Sequence, residues 1–470
     1  MKLAEAVAAT RSGPQGPGVA AIFDFGGAVA GAIRIPWYRR LFRHADPQTV
    51  LLAGIRTFGS DGPYSRFLQQ LSRALAGRSS ADLDELGERL FRRTVYGHLY
   101  PEAWQLIRTH AAAGHTVVLT SSLTRFQVAP AATALGIEHV LCTEMATEDD
   151  ILTGFVAGKP LWGNGKADAA REFAAARGID LGQSYAYSAC GADVPLLAQV
   201  GHPVAVDPDP RLTTFATEQN WPTLGFRPRR EPTTGDVLRT VAGLVALLVG
   251  AFVGVLSKSY TRDRRKMADA LMVHGSRFAL RTIGVRITVS GKEKALAPRP
   301  AIFLFNHQSQ FDVIVVPNVL IGGVTGIGKK ELTHNPIFGP LLRFVGVTFI
   351  DRANTAEAKA QLRPVVDTLR GGLSIALAPE GTRSYTPSPG PFKKGGFHMA
   401  IQAGVPIIPV VIRNAGEISW RNSMIARRGT VDVAFLDPID VSGWDPDNMT
   451  DNVEAVRGLF TRTLLDWPSA

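Results

Sequence analysis

One uninterrupted apolar run, residues 241–256, divides the chain into two parts of similar length. The run has no polar side chain, and Arg239 and Lys258 flank it. Sixteen helical residues span about 24 Å, less than the roughly 30 Å hydrocarbon core of a bilayer. Residues 262–282 begin with several basic residues and have an apolar side, the composition of an interfacial helix. We therefore predict that residues 233–295 form membrane-associating helices in one leaflet. A buried core helix followed by a surface helix is the alternative.

Charge and cysteine content narrow the class of protein. The chain has 470 residues and only two cysteines, Cys142 and Cys190. This cysteine content makes neither a disulfide framework nor a zinc site. The formal net charge of +10 lies mostly in the second half, beside the apolar run. Because no DNA- or RNA-binding motif accompanies the charge, we expect a phospholipid membrane surface as a partner and no nucleic acid. Residues 1–17 are small and polar, lack a signal peptide's apolar core, and are predicted to be a disordered leader.

Short apolar runs alternate with helical patterns in the first half. Strands are predicted at residues 19–23, 116–119, 184–188 and 203–206, with helices at residues 126–135 and 166–177. This alternation predicts an α/β fold with a parallel, doubly wound, Rossmann-like sheet. Residues 31–110 have a charged helical pattern in much of their length. We predict that they form a helical cap within a domain of residues 18–232.

Polar residues follow these predicted strands. Asp24 ends the first strand, Ser121 follows the second, Lys166 opens a helix, and Asp193 follows a later strand. In this order they resemble the haloacid-dehalogenase-like phosphatases, in particular the phosphoserine-phosphatase-like branch, over about 190 residues. The resemblance implies that Asp24 is the nucleophile, that Ser121 and Lys166 bind phosphate, and that Asp193 is one of the acids beside Mg²⁺.

Two departures from that family bear on activity. Gly26 stands where the family has an acid/base aspartate, and Ala189 stands where it has the first of two late acids. Loss of a general acid costs about 10²–10⁴ in rate, and loss of a carboxylate weakens magnesium binding. We therefore expect a folded domain with weak catalysis and weak Mg²⁺ binding. A bifunctional protein with an active phosphomonoester phosphatase is the alternative.

The stretch AIFLFNHQSQFD, residues 301–312, predicts a proton-transfer site in the second half. Ile302–Phe305 is short and apolar and predicts a buried strand, which delivers His307 to the sheet edge where open α/β sheets bind ligands. Asp312 can accept from one imidazole nitrogen while the other takes a proton. Taken alone, this spacing is more often explained by His307 as a helix cap and Asp312 as an acid at the exposed start of a helix.

Three further blocks follow this stretch: GVTFIDR at residues 346–352, PEGTRS at 379–384 and VPIIPV at 405–410. The four blocks together resemble the glycerolipid acyltransferase family, the lysophosphatidate acyltransferases in particular, over roughly residues 298–436. The resemblance predicts an α/β acyltransferase domain at residues 296–470. Two of the blocks end predicted strands in Arg352 and Arg383, and forked arginines bind phosphate well.

The resemblance also assigns roles to single residues. His307 and Asp312 are expected to be catalytic, and Arg352, Arg383 and Lys393 to hold a substrate phosphate. The other expected members are an acceptor loop of Asn306, Glu380, Gly381 and Thr382, and a pocket for the acyl chain or acceptor at Pro406 and Pro409. Backbone N–H groups after Asn306 are candidate oxyanion donors. The two prolines predict an edge strand.

The expected reaction moves a fatty acyl chain from acyl-CoA or acyl carrier protein to the sn-2 hydroxyl of lysophosphatidic acid. It requires no metal and no cofactor. Another lysophospholipid or glycerol 3-phosphate is the alternative acceptor. Because acyl thioesters are made in the cytoplasm, we expect a monotopic protein on the cytoplasmic face of the cell membrane. The sequence specifies neither the acyl donor nor the oligomeric state.

Overall fold

The computed structural model describes residues 1–31, 61–226, 232–296, 299–334, 336, 338–350, 363–421, 423–445 and 447–468. It divides into two units, Met1–Arg230 and Glu231–Ala470. Each unit is built on a seven-stranded sheet with helices around it. The prediction of two α/β domains is therefore confirmed.

The first sheet contains all the strands predicted for the first half. Its strands are β1 (Ala20–Asp24), β2 (Thr116–Thr124), β3 (His139–Glu148), β4 (Ile151–Ala157), β5 (Tyr185–Ser188), β6 (His202–Val206) and β7 (Thr223–Leu224). They lie in the order β4-β3-β2-β1-β5-β6-β7. Only the β3–β4 pair is antiparallel. The central β1, which carries Asp24, is buried along its whole length.

Helices surround this sheet and form part of the predicted cap. They are α1 (Leu3–Ser12), α2 (Asp61–Leu75), α3 (Ser80–Arg93), α4 (Pro101–Ala112), α5 (Arg125–Leu135), α6 (Asn164–Arg177), α7 (Val194–Leu197) and α8 (Pro210–Glu218). Helices α2 and α3 fall within the cap predicted at residues 31–110, and Ser79 forms an antiparallel bridge with Ile151 of β4. Residues 32–60 of that predicted cap lie outside the described residues.

The disordered leader predicted for residues 1–17 is wrong for the segment that forms α1. Ala6, Val7 and Thr10 of α1 are buried. Thr10 Oγ1 lies 3.5 Å from Nε2 of His110 on α4. The segment is ordered because its small residues pack against α4. The contact joins residues 100 positions apart, so the composition of residues 1–17 alone does not indicate it.

A chain of hydrogen bonds continues from this contact into the sheet. Tyr187 Oη lies 2.8 Å from His110 Nε2, His110 Nδ1 lies 2.8 Å from His115 Nδ1, and His115 Nε2 lies 2.8 Å from the Pro14 carbonyl. Because a carbonyl only accepts, His115 Nε2 donates, and His110 must then donate through Nδ1 and accept from Tyr187. Both imidazoles are neutral in this arrangement. Burial, and then the neighbouring His115, lowers the pKa of His110 to about 3.

The second sheet places its predicted catalytic strand in the centre. Its strands are β8 (Val285–Ser290), β9 (Ile302–Phe305), β10 (Val324–Lys329), β11 (Thr348–Ile350), β12 (Ser374–Leu377), β13 (Ile407–Arg413) and β14 (Gly429–Phe435). The order is β11-β10-β12-β9-β13-β14-β8, with only the β13–β14 pair antiparallel. Strand β9 therefore runs parallel to both of its neighbours, β12 and β13.

Strand β13 is an interior strand, so the edge position predicted from its prolines is wrong. It lies between β9 and β14. Pro409 stands opposite Leu304, and its carbonyl accepts a 3.0 Å hydrogen bond from Leu436 N. Pro409 has no backbone N–H to donate, but its carbonyl is hydrogen-bonded, and the residues on either side of it complete the pairing of β13 with its neighbours.

The helices of the second unit begin with a long antiparallel hairpin. They are α9 (Thr234–Lys258), α10 (Arg264–Ile283), α11 (Asp312–Leu320), α12 (Phe338–Val345), α13 (Arg363–Arg370), α14 (Gly395–Ala403), α15 (Ala415–Ile418) and α16 (Met449–Leu465). Gly243 on α9 faces Ile283 on α10, whereas Gly254 faces Ala270. A Cβ built on Gly254 would lie 2.4 Å from the Ala270 carbonyl oxygen, so the two backbones approach each other closely.

The membrane-associating segment predicted at residues 233–295 is wrong for its last part. Val285–Ser290 is strand β8, which pairs in parallel with β14. Among the described residues, Thr234–Thr261 is the one helix long and apolar enough to cross a membrane. Some of the basic side chains at the start of α10 also bind protein carbonyls, although they were predicted to face the membrane surface. Arg264 donates to the carbonyls of Arg343 and Phe344, and Arg265 donates to that of Val345, which together cap the end of α12.

Candidate active site

Three chain segments meet where β12, β9 and β13 end. Since the three strands are parallel neighbours, their carboxyl ends lie at one edge of the sheet. The segment after β9 carries His307 and Asp312. The segment after β12 is residues 378–394, and the segment after β13 is residues 414–427. We call them the catalytic segment, the β12 loop and the β13 loop.

His307 and Asp312 form the pair predicted from the sequence. His307 Nδ1 lies 2.8 Å from Asp312 Oδ2. The same oxygen accepts from Gln308 N at 2.9 Å and Ser309 N at 3.0 Å. Asp312 is fully buried, whereas the His307 side chain is 22% exposed, and its Nε2 has no hydrogen-bond partner among the described residues. A fixed Nδ1–H directs the Nε2 lone pair outward, as a general base requires.

Glu380 holds the β12 loop against the catalytic segment. Its Oε1 accepts from His307 N at 2.7 Å, and its Oε2 accepts from Gly390 N at 2.7 Å and from the Ser384 hydroxyl. Ser384 N donates in turn to the His307 carbonyl at 2.8 Å. Burial raises the pKa of Glu380, although these donors act in the opposite direction. Glu380, which was expected in an acceptor loop, thus holds that loop in place through both carboxylate oxygens.

Asn306 connects β9 to β13 through its side-chain amide. Its amide donates to the Ile412 carbonyl at 2.8 Å and accepts from Ile412 N at 2.7 Å. Both ends of the amide are therefore engaged between β9 and β13, and the side chain is buried.

The oxyanion donors expected after Asn306 are largely engaged inside the protein. His307 N donates to Glu380, and the N–H groups of Gln308 and Ser309 donate to Asp312. Phe311 N donates to the Ser309 hydroxyl. These N–H groups fix the geometry of the His307–Asp312 pair and are not available to an oxyanion, so the expectation is wrong for all four.

Two of the three predicted cations lie on the β12 loop. Arg383 is partly buried and donates through Nη1 to the Arg421 carbonyl. Lys393 is exposed and its side chain crosses Gly381, where a Cβ would lie 3.0 Å from Lys393 Nζ. Gly381 also has a φ of +71°, which favours glycine. Arg352, the other predicted phosphate ligand, lies outside the described residues.

Arg421 on the β13 loop is a site cation that the sequence analysis missed. Its Nη2 lies 3.2 Å from Thr382 Oγ1, and its Nη1 donates to the Arg383 carbonyl. Its guanidinium carbon is 3.7 Å from the centroid of the Tyr385 ring. No local motif marks this residue. Only the parallel pairing of β13 with β9 indicates that a residue after β13 reaches the site.

The predicted pocket prolines are not brought to this edge. The Pro406 carbonyl accepts from Ile302 N at 3.0 Å, at the start of β9. Pro409 is buried within the sheet opposite Leu304. Their expected role in lining an acyl or acceptor pocket beside His307 is therefore not supported for Pro406, which lies at the opposite end of β9.

The phosphatase-like residues of the first unit also come together. Lys166 Nζ lies 2.6 Å from Asp24 Oδ1 and 2.9 Å from Asp193 Oδ2, and all three side chains are buried. Burial raises the pKa of Asp24, whereas Lys166 lowers it. Burial opposes the charge on Lys166, but the two carboxylates outweigh it and raise its pKa. Ser121 follows Thr120, which stands opposite Asp24, and its hydroxyl accepts from Leu123 N at 3.1 Å.

The side chains of this cluster supply few of the ligands that a magnesium ion needs. Mg²⁺ needs several oxygen ligands in near-octahedral geometry. Gly26 and Ala189 contribute no side-chain oxygen, and the described residues contain no group of three or more His, Cys, Asp or Glu that could hold a metal. Asp193 Oδ1 is buried without a hydrogen-bond partner in the described part of the chain, but the Lys166 ammonium already bridges the two carboxylates.

Comparison with known proteins agrees with both predicted resemblances. A family model described as acyltransferase matches residues 286–413, and one described as haloacid dehalogenase-like hydrolase matches residues 21–198. The 1-acyl-sn-glycerol-3-phosphate acyltransferase of Saccharomyces cerevisiae is 31% identical over 240 residues, which are 48% of this chain and 77% of the yeast protein. The Haemophilus influenzae protein of the same name is 39% identical over 170 residues, 35% of this chain and 69% of that protein.

A solved structure is similar to part of the chain. It is the 1-acyl-sn-glycerophosphate (LPA) acyltransferase PlsC of Thermotoga maritima, which is 24% identical in sequence. The match covers 50% of this chain and 98% of that chain, with a TM-score of 0.42. The sequence relatives are above 30% identity over more than two thirds of their own length. The chain therefore belongs to the 1-acyl-sn-glycerol-3-phosphate acyltransferase family, and its first unit is similar to the haloacid dehalogenase-like hydrolases.

Proposed function

We propose that the second unit transfers a fatty acyl chain from an acyl thioester to the sn-2 hydroxyl of lysophosphatidic acid, giving phosphatidic acid. The observation that carries this proposal is the His307–Asp312 pair, with Nδ1 and Oδ2 2.8 Å apart. The relatives named 1-acyl-sn-glycerol-3-phosphate acyltransferase support the choice of acceptor.

The reaction needs a base but no nucleophile from the protein. Nε2 of His307 takes the proton of the acceptor hydroxyl as its oxygen attacks the thioester carbonyl. Asp312 keeps the proton on Nδ1 and stabilises the imidazolium that forms. Collapse of the tetrahedral intermediate expels the thiolate, which takes a proton and leaves as free thiol. The step consumes one thioester and forms one ester, and it needs neither metal nor cofactor.

Positively charged groups next to His307 hold the acceptor phosphate. Arg383 and Lys393 on the β12 loop, with Arg352, are the proposed ligands. Binding the phosphate keeps the nearby hydroxyl at Nε2 and converts a bimolecular encounter into a positioned reaction. The thioester enters from water as acyl-CoA or acyl carrier protein.

A direct assay tests the proposal. The purified full-length protein in detergent is given labelled acyl-CoA or acyl carrier protein with lysophosphatidic acid, glycerol 3-phosphate or lysophosphatidylglycerol. We expect labelled phosphatidic acid and free thiol in equal amounts with wild type, and neither with His307→Ala. Transfer to another acceptor in preference to lysophosphatidic acid would replace the proposed substrate. Transfer by His307→Ala at more than about a tenth of the wild-type rate would refute the proposed base.

We further propose that α9 lies in one leaflet of the cell membrane, on its cytoplasmic face. One side of α9 is covered by α10, whereas its other side exposes large apolar residues: Val241, Leu244, Val245, Leu248, Val249, Phe252, Val253 and Leu256. Gly243 and Gly254 of α9 face α10, and Arg277 and Arg281 on α10 are exposed. A helix with an apolar outer face and a charged neighbour suits the interface better than the centre of a bilayer.

The hairpin also fixes where its two ends lie. Since α9 and α10 are antiparallel, Thr234 and Ile283 are at the same end of the pair. The chain before α9 and the sheet after α10 then share one side of the membrane. Single cysteines at Glu172 and Gly443, both exposed, test this in a variant without native cysteines. We expect both to react with an impermeant thiol reagent in inverted vesicles and neither in intact cells. Labelling of the two from opposite sides would mean that α9 crosses.

A further inference from the structure

We propose that Arg421 is a second arginine that binds the acceptor phosphate, beside Arg383, and that the two distinguish a phosphate monoester from a diester. The inference rests on the proposed acyl transfer and extends it to a residue outside the four sequence blocks. Arg421 lies on the β13 loop, which is attached directly to the catalytic segment.

Two hydrogen bonds tie the β13 loop to the catalytic segment. The Ser309 hydroxyl donates to the Ser419 carbonyl at 2.8 Å, and Gln310 Nε2 donates to the Ser423 carbonyl at 2.5 Å. Arg421 lies between these two anchors in the sequence. Its backbone is therefore fixed relative to the His307–Asp312 pair.

The side chain of Arg421 reaches across to the β12 loop. Its two terminal nitrogens contact Thr382 Oγ1 and the Arg383 carbonyl, while its guanidinium lies against the Tyr385 ring. Stacking on an aromatic face holds a guanidinium plane without using its N–H edge. These contacts hold the group in a defined orientation before any ligand binds.

Arg383 and Arg421 hold each other in place. Each donates an Nη1 hydrogen bond to the backbone carbonyl of the other. The arrangement fixes two guanidinium groups on adjoining loops, where like charges repel. A phosphate with two negative charges relieves that repulsion and accepts from both forks, whereas a diester offers one charge and fewer free oxygens. The pair therefore favours a monoester.

The pair is also close to the reacting group. Ser384, the residue after Arg383, donates from its N–H to the His307 carbonyl at 2.8 Å. In lysophosphatidic acid only a few bonds separate the phosphate from the sn-2 hydroxyl. A phosphate held by Arg383 and Arg421 can therefore present that hydroxyl to the exposed side of His307.

Steady-state kinetics separate phosphate binding from a merely structural role. We compare wild type, Arg421→Ala and Arg421→Lys with lysophosphatidic acid and with lysophosphatidylglycerol, a diester. For Arg421→Ala we expect the KM for lysophosphatidic acid to rise about tenfold or more, since a charge-assisted hydrogen bond is lost. The KM for the thioester and kcat should change little, and the preference for the monoester should fall. Arg421→Lys should restore part of the loss, because a point charge lacks the fork.

Arg428→Ala is the matched control, because Arg428 is an exposed arginine of the segment that continues from the β13 loop and its loss changes the net charge equally. It should behave as wild type. An equal fall of kcat for both acceptors in Arg421→Ala, at unchanged KM, would assign Arg421 a structural role and overturn the inference. So would kinetics identical to wild type.

A binding measurement keeps the inference testable if acyl transfer itself is not found. Glycerol 3-phosphate should raise the melting temperature of the full-length wild type and of Arg428→Ala, and raise that of Arg421→Ala less. Wild type without transfer but with this pattern would refute the proposed reaction and retain the phosphate site. Equal stabilisation of all three proteins would refute the role of Arg421, whatever the reaction is.

Discussion

Replacing Asp312 with asparagine tests how the catalytic pair is oriented. Oδ2 of Asp312 accepts from His307 Nδ1 and from two backbone N–H groups, those of Gln308 and Ser309. An asparagine must place its oxygen at this position, because its NH₂ group would otherwise face two backbone donors. With the oxygen there, Nδ1 of His307 keeps its proton. We therefore expect Asp312→Asn to preserve the tautomer and to remove only the charge.

The size of the effect follows from that charge. A hydrogen bond to a charged group contributes about 1.5–3 kcal/mol and a neutral one about 0.5–1.5 kcal/mol. Their difference, roughly 1–2 kcal/mol, is lost from the transition state in which imidazolium forms, so kcat should fall about 5- to 30-fold. The amide NH₂ would occupy the position of Oδ1, which is buried and has no partner among the described residues. We expect this to cost a further ~1–3 kcal/mol of folding stability.

The size of the loss in kcat/KM distinguishes removal of the charge from a change of tautomer. Asp437→Asn, which changes a carboxylate whose side chain is 83% exposed, should leave the rate unchanged. A loss near 10⁴, the size that follows when an amide imposes the wrong tautomer, would refute the reasoning.

Three further changes test other parts of the protein. His307→Ala should lower kcat by about 10²-fold or more while leaving the melting temperature nearly unchanged, and thioester consumption above about a tenth of wild type would contradict the mechanism. Lowering the pH from about 8 to about 5 should destabilise the first unit by about 2 kcal/mol through His110. Its pKa is lowered by folding, so the unfolded chain binds the proton first, and stability is full above about pH 6.5 and falls below it. Hydrogen exchange of the α1 amides at several pH values, in wild type and in His110→Gln, measures this loss of stability. If both proteins lose protection equally as the pH falls, His110 is not the cause. Gly26→Asp combined with Ala189→Asp should raise magnesium-dependent orthophosphate release from phosphomonoesters, whereas wild-type turnover that Asp24→Asn abolishes would mean that the first unit is an active phosphatase.

The fold was predictable where local pattern and tertiary burial agree. Ile302–Phe305 is apolar at every position and is a fully buried central strand. Helix α1 was not predictable, since Ala6 and Val7 offer little apolar surface and their partner α4 is distant in sequence. The interior position of β13 was missed because Pro409 is normally a mark of an edge, and only the register with Leu304 shows how the sheet accommodates it.

The candidate site was predictable to the extent that it lies in contiguous blocks. His307 and Asp312 are five residues apart, so a short stretch of sequence is enough to predict their contact. Arg421 reaches the site through the pairing of β13 with β9, which no short pattern contains. Asn306 shows the converse. It lies next to the base in sequence, yet both ends of its amide are bonded to Ile412, so proximity in sequence overstated its part in the chemistry.

The first unit shows why a set of catalytic residue types does not by itself indicate catalysis. Lys166 is buried between Asp24 and Asp193, so each charge depends on the others for its partner. Removing one member of such a buried cluster leaves an uncompensated charge and costs about 3–5 kcal/mol. Once the three are buried together, losing any one of them is therefore destabilising, with or without catalysis. Gly26 and Ala189 are not part of the cluster, and their positions lack carboxylates that only the chemistry would need. The residues that packing does not require are thus the ones that decide whether this unit is a phosphatase.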